Sequence, residues 1–88
     1  MEPGIYSRDF AEAFSKLLEE TSISCYQISQ YTHLDQAYLS RLKNGKRDNP
    51  SPETLVKISL AFVHLSRSAK LYDIERLFNS VGRSIHLK

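Results

Sequence analysis

A single cysteine, Cys25, is all that 88 residues contain, and there is no tryptophan. A lone thiol cannot close an internal disulfide, which points to a reducing compartment, the cytoplasm. Glycine and proline number three each, so neither a low-complexity segment nor a repeat architecture is present. No apolar run approaches the roughly 18 residues a membrane span needs, and the first twenty residues are acidic and amphipathic rather than signal-like. His33, His64 and His86 stand far apart with no ligand-like spacing, so no metal and no cofactor is expected. Nucleophile elbow, phosphate loop and paired carboxylates are all missing, which argues against an enzyme.

What is present is an ordinary globular composition, 41% hydrophobic and 25% charged, in a chain long enough for one domain with one small core. The net charge of +2 conceals an uneven distribution. Residues 1–20 carry five acids and two bases, whereas residues 21–47 carry one acid, Asp35, and four bases, Arg41, Lys43, Lys46 and Arg47. Local charge of this kind governs attraction to a polyanion more than the total does.

Every periodic segment reads as a helix, and no strand is expected. Phe10, Ala13, Phe14 and Leu17 recur at helical spacing, with Ser7 as N-cap and Asp9 in the first turn, predicting helix 1 over about 8–20. Ser24 and Gln27 form a capping box, and Ile23 and Ile28 occupy the positions of a hydrophobic staple, opening helix 2 over about 25–31. The turn is Thr32-His33-Leu34. Asp35 caps helix 3, with Leu34 and Leu39 as its staple. Leu39 and Leu42 point inward with Tyr38 at the border, leaving Gln36, Ala37, Ser40, Arg41 and Asn44 outside. Asn44-Gly45 ends helix 3 through the left-handed conformation glycine accepts.

After a loop at 46–50, Ser51-Pro52-Glu53 starts helix 4, whose core stripe is Leu55, Ile58, Phe62 and Leu65. A break at 66–68 precedes helix 5, with Leu71, Ile74, Leu77, Phe78 and Val81 as its stripe and Gly82 as its stop. The organisation is a lead at 1–7, a domain at 8–82 and a tail at 83–88. The fold class is all-α, a bundle of about five helices.

A short helix that exposes Gln and Arg beside a basic exit suits a polyanion with readable edges, which makes double-stranded DNA the first partner to consider. The residues also carry a family likeness. Ile23-Ser24 leading into Ile28, then Leu34-Asp35-x-x-Tyr38-Leu39-Ser40-Arg41-Leu42-x-Asn44-Gly45-Lys46-Arg47, with Pro50 and Leu55 following, resembles Cro and lambda-repressor-like helix-turn-helix domains over about residues 8–65. The resemblance implies a helix-turn-helix formed by helices 2 and 3 and operator binding as a homodimer. It implies base reading by Gln36, Ala37, Ser40 and Arg41, and backbone contacts from Ser24, Cys25, Asn44, Lys46 and Arg47.

The chain also departs from that pattern. Many members pair a helix 1 arginine with a glutamate just before Asn-Gly, and here those places hold Leu18 and Lys43. Cys25 stands where the family often has a glutamine that anchors a phosphate. Asp35 brings a negative charge to the start of the recognition helix.

Several residues carry two readings. Arg41 is either a solvated surface arginine or a bidentate guanine contact. Lys46 and Arg47 offset a helix dipole and can meet phosphates as well. Cys25 is a partly buried small residue or, at a helix N-terminus that lowers thiol pKa, a redox-sensitive one. Tyr31 and Tyr38 read as core-edge packing. Phe78, Val81, Ile85 and Leu87 are dimer candidates, against closing the core or leaving the tail frayed. The functional reading is a transcriptional regulator, a repressor on a palindromic operator. Its rival is an antitoxin-like interaction module that holds a protein partner and also binds its own operator.

Overall fold

A computed structural model describes residues 3–46, 50–67 and 71–81, with side chains from Asp9 onward other than that of Tyr72. Five helices follow one another: α1 (Pro3–Thr21), α2 (Cys25–Thr32), α3 (Gln36–Lys43), α4 (Pro52–Leu65) and α5 (Leu71–Ser80). Their principal contacts close a ring, α1 on α3, α3 on α2, α2 on α4, α4 on α5 and α5 back on α1. Each helix turns its apolar stripe toward the interior of that ring, and no strand occurs among the described residues.

Phe14 sits at the centre. It stacks on Phe10 at 5.4 Å between ring centroids and meets Phe62 of α4 edge-on at 6.0 Å. Around it Leu17, Leu18, Ile23, Ile28, Leu39, Leu42, Leu55, Ile58, Leu77 and Val81 are buried. Each such side chain contributes about 1.5–3 kcal/mol when removed from water. Ser59 is the buried hydroxyl on α4, and it donates to the Leu55 carbonyl at 2.8 Å. Asp73, in the first turn of α5, lies 3.9 Å from Arg76. An acid there also faces the positive end of the helix dipole.

The junctions follow local chemistry. α1 ends in a Schellman motif, with Ser22 N–H donating to Glu19 C=O (3.3 Å) and Ile23 N–H to Leu18 C=O (3.1 Å). Ser22 holds the left-handed position at φ 58°, and Ile23 turns into the core. Ser51 caps α4 by accepting from Thr54 N–H at 3.2 Å, with Pro52 at the first helical position. Both staples pack inward: Ile23 and Ile28 are buried, and half-buried Leu34 leans on the core beside Leu39.

Three expectations change. α1 begins at Pro3 rather than near residue 8, so Ser7 falls inside the helix instead of capping it. Proline's fixed φ and missing N–H suit a first helical turn. Leu65 and Leu71 lie outside the core, at 37% and 59% exposure. Both stand at helix ends flanking the α4–α5 connection, past the interior of the ring, where a wheel position no longer guarantees cover. Gly82, the tail at 83–88, Ile85 and Leu87 lie outside the described residues.

Candidate nucleic-acid interface

The α2–α3 turn is built from hydroxyls. His33 takes the left-handed conformation at φ 65° and donates its N–H to Ser29 C=O at 2.8 Å. Ser29 Oγ donates to Leu34 C=O at 2.7 Å, and Leu34 N–H donates to Thr32 Oγ1 at 3.1 Å. Thr32 Oγ1 in turn donates to Ile28 C=O at 2.7 Å. These bonds fix the angle at which α3 leaves α2 without needing a glycine.

At the start of α2, Ser24 Oγ accepts from Gln27 N–H at 3.1 Å while Gln27 Oε1 accepts from Ser24 N–H at 2.9 Å. The capping box therefore occupies the Ser24 hydroxyl and two of the terminal N–H groups. Those of Cys25 and Tyr26 have no partner among the described residues and remain available at the positive end of the helix. Cys25 itself is half-buried and packed against the core. Burial pushes its thiol pKa up, against a smaller lowering by the Lys43 ammonium. The helix-terminus argument for a lowered pKa fails here because desolvation wins. Cys25 is thereby favoured as the neutral thiol near pH 7.

α3 carries the exposed polar face. Gln36, Ala37 and Arg41 are exposed, Ser40 is half-buried, and Leu39 and Leu42 turn inward. Asp35 Oδ2 accepts from Tyr38 N–H at 3.1 Å, so part of the carboxylate is committed to its own helix rather than offered to solvent. Tyr38 packs at the edge of the core. Tyr31 departs further from core-edge packing: it is exposed and stacks on His64 of α4 at 4.7 Å, bridging α2 to α4.

The exit of α3 is closed carbonyl by carbonyl. Gly45, at φ 72°, donates its N–H to Leu42 C=O (3.2 Å), and Lys46 N–H donates to Arg41 C=O (2.8 Å), a Schellman motif. Ser15 of α1 donates its hydroxyl to Lys43 C=O at 3.1 Å across 28 residues of sequence. With Ser40 C=O accepting from Asn44 N–H at 3.0 Å, all of the last four carbonyls of the helix find partners. Leu18 of α1 is buried in the core, and the link between α1 and the end of α3 is made by the Ser15 hydroxyl on the Lys43 carbonyl. Sequence reasoning missed Ser15 because nothing local marks a serine that bonds so far along the chain.

Arg41 and Lys43 lie in the last turn of α3, and Asn44 and Lys46 are exposed just beyond it. Arg47 lies outside the described residues. The structure therefore brings Gln36, Ala37, Ser40, Arg41, Asn44 and Lys46 onto one helix and its exit, with the α2 N-terminus on the neighbouring helix. Among the described residues no group of three or more His, Cys, Asp or Glu is placed to hold a metal ion, and no helix is long and apolar enough to cross a membrane.

A family model described as helix-turn-helix matches residues 15–62. A curated relative, the HTH-type transcriptional repressor RghR of Bacillus subtilis (strain 168), is 36% identical over 52 residues. That match covers 59% of this chain and 38% of the relative, so the likeness spans about two fifths of the repressor's length. No solved structure matches the chain.

Proposed function

The chain belongs to the helix-turn-helix family of the Cro and lambda-repressor type, and from that premise we propose that it is a DNA-binding transcriptional regulator, a repressor acting as a cytoplasmic homodimer on a palindromic operator. The observation that supports this most is the solvent face of α3, where Gln36, Ala37 and Arg41 stand exposed beside the basic exit at Lys46. Phosphates meet the Cys25 and Tyr26 N–H groups, Lys46 and Arg47, and this docking sets the height of α3 in the major groove. Arg41 then reads guanine, Gln36 reads adenine, Ala37 contacts a thymine methyl, and Ser40 donates or accepts at the groove edge. Two-fold pairing sets two such helices about 34 Å apart, one turn of DNA. The relative's role as a repressor favours repression over activation.

Titration of duplex DNA at several salt concentrations tests this reading. With about three to five phosphates neutralised per protomer, the log–log slope per protomer is about −0.9 times that number. Lys46→Ala lowers affinity for all sequences alike and reduces the slope by about one. A flat salt response, with no duplex selected from a random pool, refutes the reading.

A further inference from the structure

α4 is apolar on two sides. Leu55, Ile58, Ala61 and Phe62 face the core, and on the opposite side Val56, Leu60 and Val63 face solvent at 44%, 55% and 56% exposure. At about 100° per residue these three fall within an arc of about 60°, one continuous stripe along the helix. A helix apolar on both sides is a helix meant to be covered on both.

The spacing of the stripe says what covers it. Val56 lies four residues before Leu60 and Val63 three after, so the pattern read backwards nearly matches the pattern read forwards. Charges extend the symmetry. Glu53 lies seven residues before Leu60, exposed in the first turn of α4, and Arg67 lies seven after, exposed beyond the C-terminal end. A surface that is its own complement when turned end for end is what an isologous contact requires. The Glu53–Lys57 pair, at 3.6 Å and well exposed, leaves the Glu53 carboxylate open to solvent.

We propose that α4 is the two-fold self-association surface of this protein. Two copies pair antiparallel with Leu60 on the axis, Val56 against Val63 of the second copy, and Glu53 against Arg67 of the second copy, twice over. The proposal rests on the homodimer reading above and assigns it a surface. α5 offers less for the purpose among the described residues: Ile74, Leu77 and Val81 are already in the protein's own core, and Phe78 is packed against it.

Sedimentation equilibrium of the full chain and its variants tests this. Wild type is expected to be a dimer. Leu60→Glu places a carboxylate in the apolar contact and is expected to raise the dimer dissociation constant by at least about a hundredfold, with an unchanged circular dichroism spectrum because Leu60 is exposed. Glu53→Arg and Arg67→Glu each bring like charges together and weaken the dimer by about three- to tenfold, and the double swap restores it. Rescue by the double swap distinguishes this register from any general loss of stability.

A dimer indifferent to Leu60→Glu but lost on deletion of residues 83–88 overturns the α4 surface while leaving the homodimer. A dimer that falls apart with Leu60→Glu but ignores the charge swaps overturns the antiparallel register. A monomeric wild type overturns both the surface and the homodimer. A half-site duplex titration then shows separately whether α3 still reads DNA.

Discussion

α3 and α4 are alike on the side they hide and opposite on the side they show. Leu39 and Leu42 on one, and Leu55, Ile58 and Phe62 on the other, enter the same core. Outside, α3 presents Gln36, Ala37 and Arg41, whereas α4 presents Val56, Leu60 and Val63. The hidden faces obey one rule, removal of apolar area from water, and say nothing of what the helix is for. On the functions proposed above, the shown faces diverge because they meet different things: hydrogen-bonding base edges in one case, another apolar surface in the other.

The largest effects test the likeness. Phe62→Ala is expected to cost about 3–5 kcal/mol and Leu39→Ala about 2–5 kcal/mol, both read by urea denaturation, since each leaves a cavity in a shared core. A small loss at Leu39 beside a large one at Phe62 would show that the recognition helix is held by something other than that core. Next comes the divergence. Arg41→Ala should remove about 1–3 kcal/mol of discrimination between cognate and random duplex in competition binding, with the melting temperature unmoved. Equal losses on both duplexes would place Arg41 at phosphates instead.

Ser15→Ala sharpens the contrast further, because the end of α3 depends on a hydroxyl from a distant helix. It should cost about 1 kcal/mol and raise amide exchange at Gly45 and Lys46 while leaving α4 protected. The smallest effect belongs to α4's outer face. Leu60→Gln in the isolated protomer should stay within about 0.5 kcal/mol of wild type, measured at dilutions where self-association is absent.

What could be read beforehand divides by distance along the chain. The caps at Ser24, Asp35 and Ser51, the two staples and the glycine stop at Gly45 all depend on partners three to five residues away, and the structure carries each of them. Helix ends were less legible. Pro3 outcompeted Ser7 as a start, and Leu65 and Leu71 share the spacing of core residues but stand where the neighbouring helices run out. The second stripe on α4 was present in the sequence at i, i+4 and i+7, yet the stronger inward stripe masked it. The Cys25 environment needed three dimensions, since burial raises its thiol pKa and the Lys43 ammonium lowers it less, and only packing brings both to bear. The bond from Ser15 to the Lys43 carbonyl joins parts of the chain that no local pattern relates.

That bond sets a limit on portability. The helix-turn-helix looks like a cassette, residues 24 to 47, that one would lift out and seat on another scaffold. Its final turn, however, is finished by a hydroxyl on α1, and the α1 stripe supplies the floor on which Leu39 and Leu42 rest. A transplanted cassette would keep its caps and its turn and lose the brace on the last turn of α3. The smallest transferable reading unit therefore reaches back through α1 to Phe10, taking in Phe14 and Ser15 together.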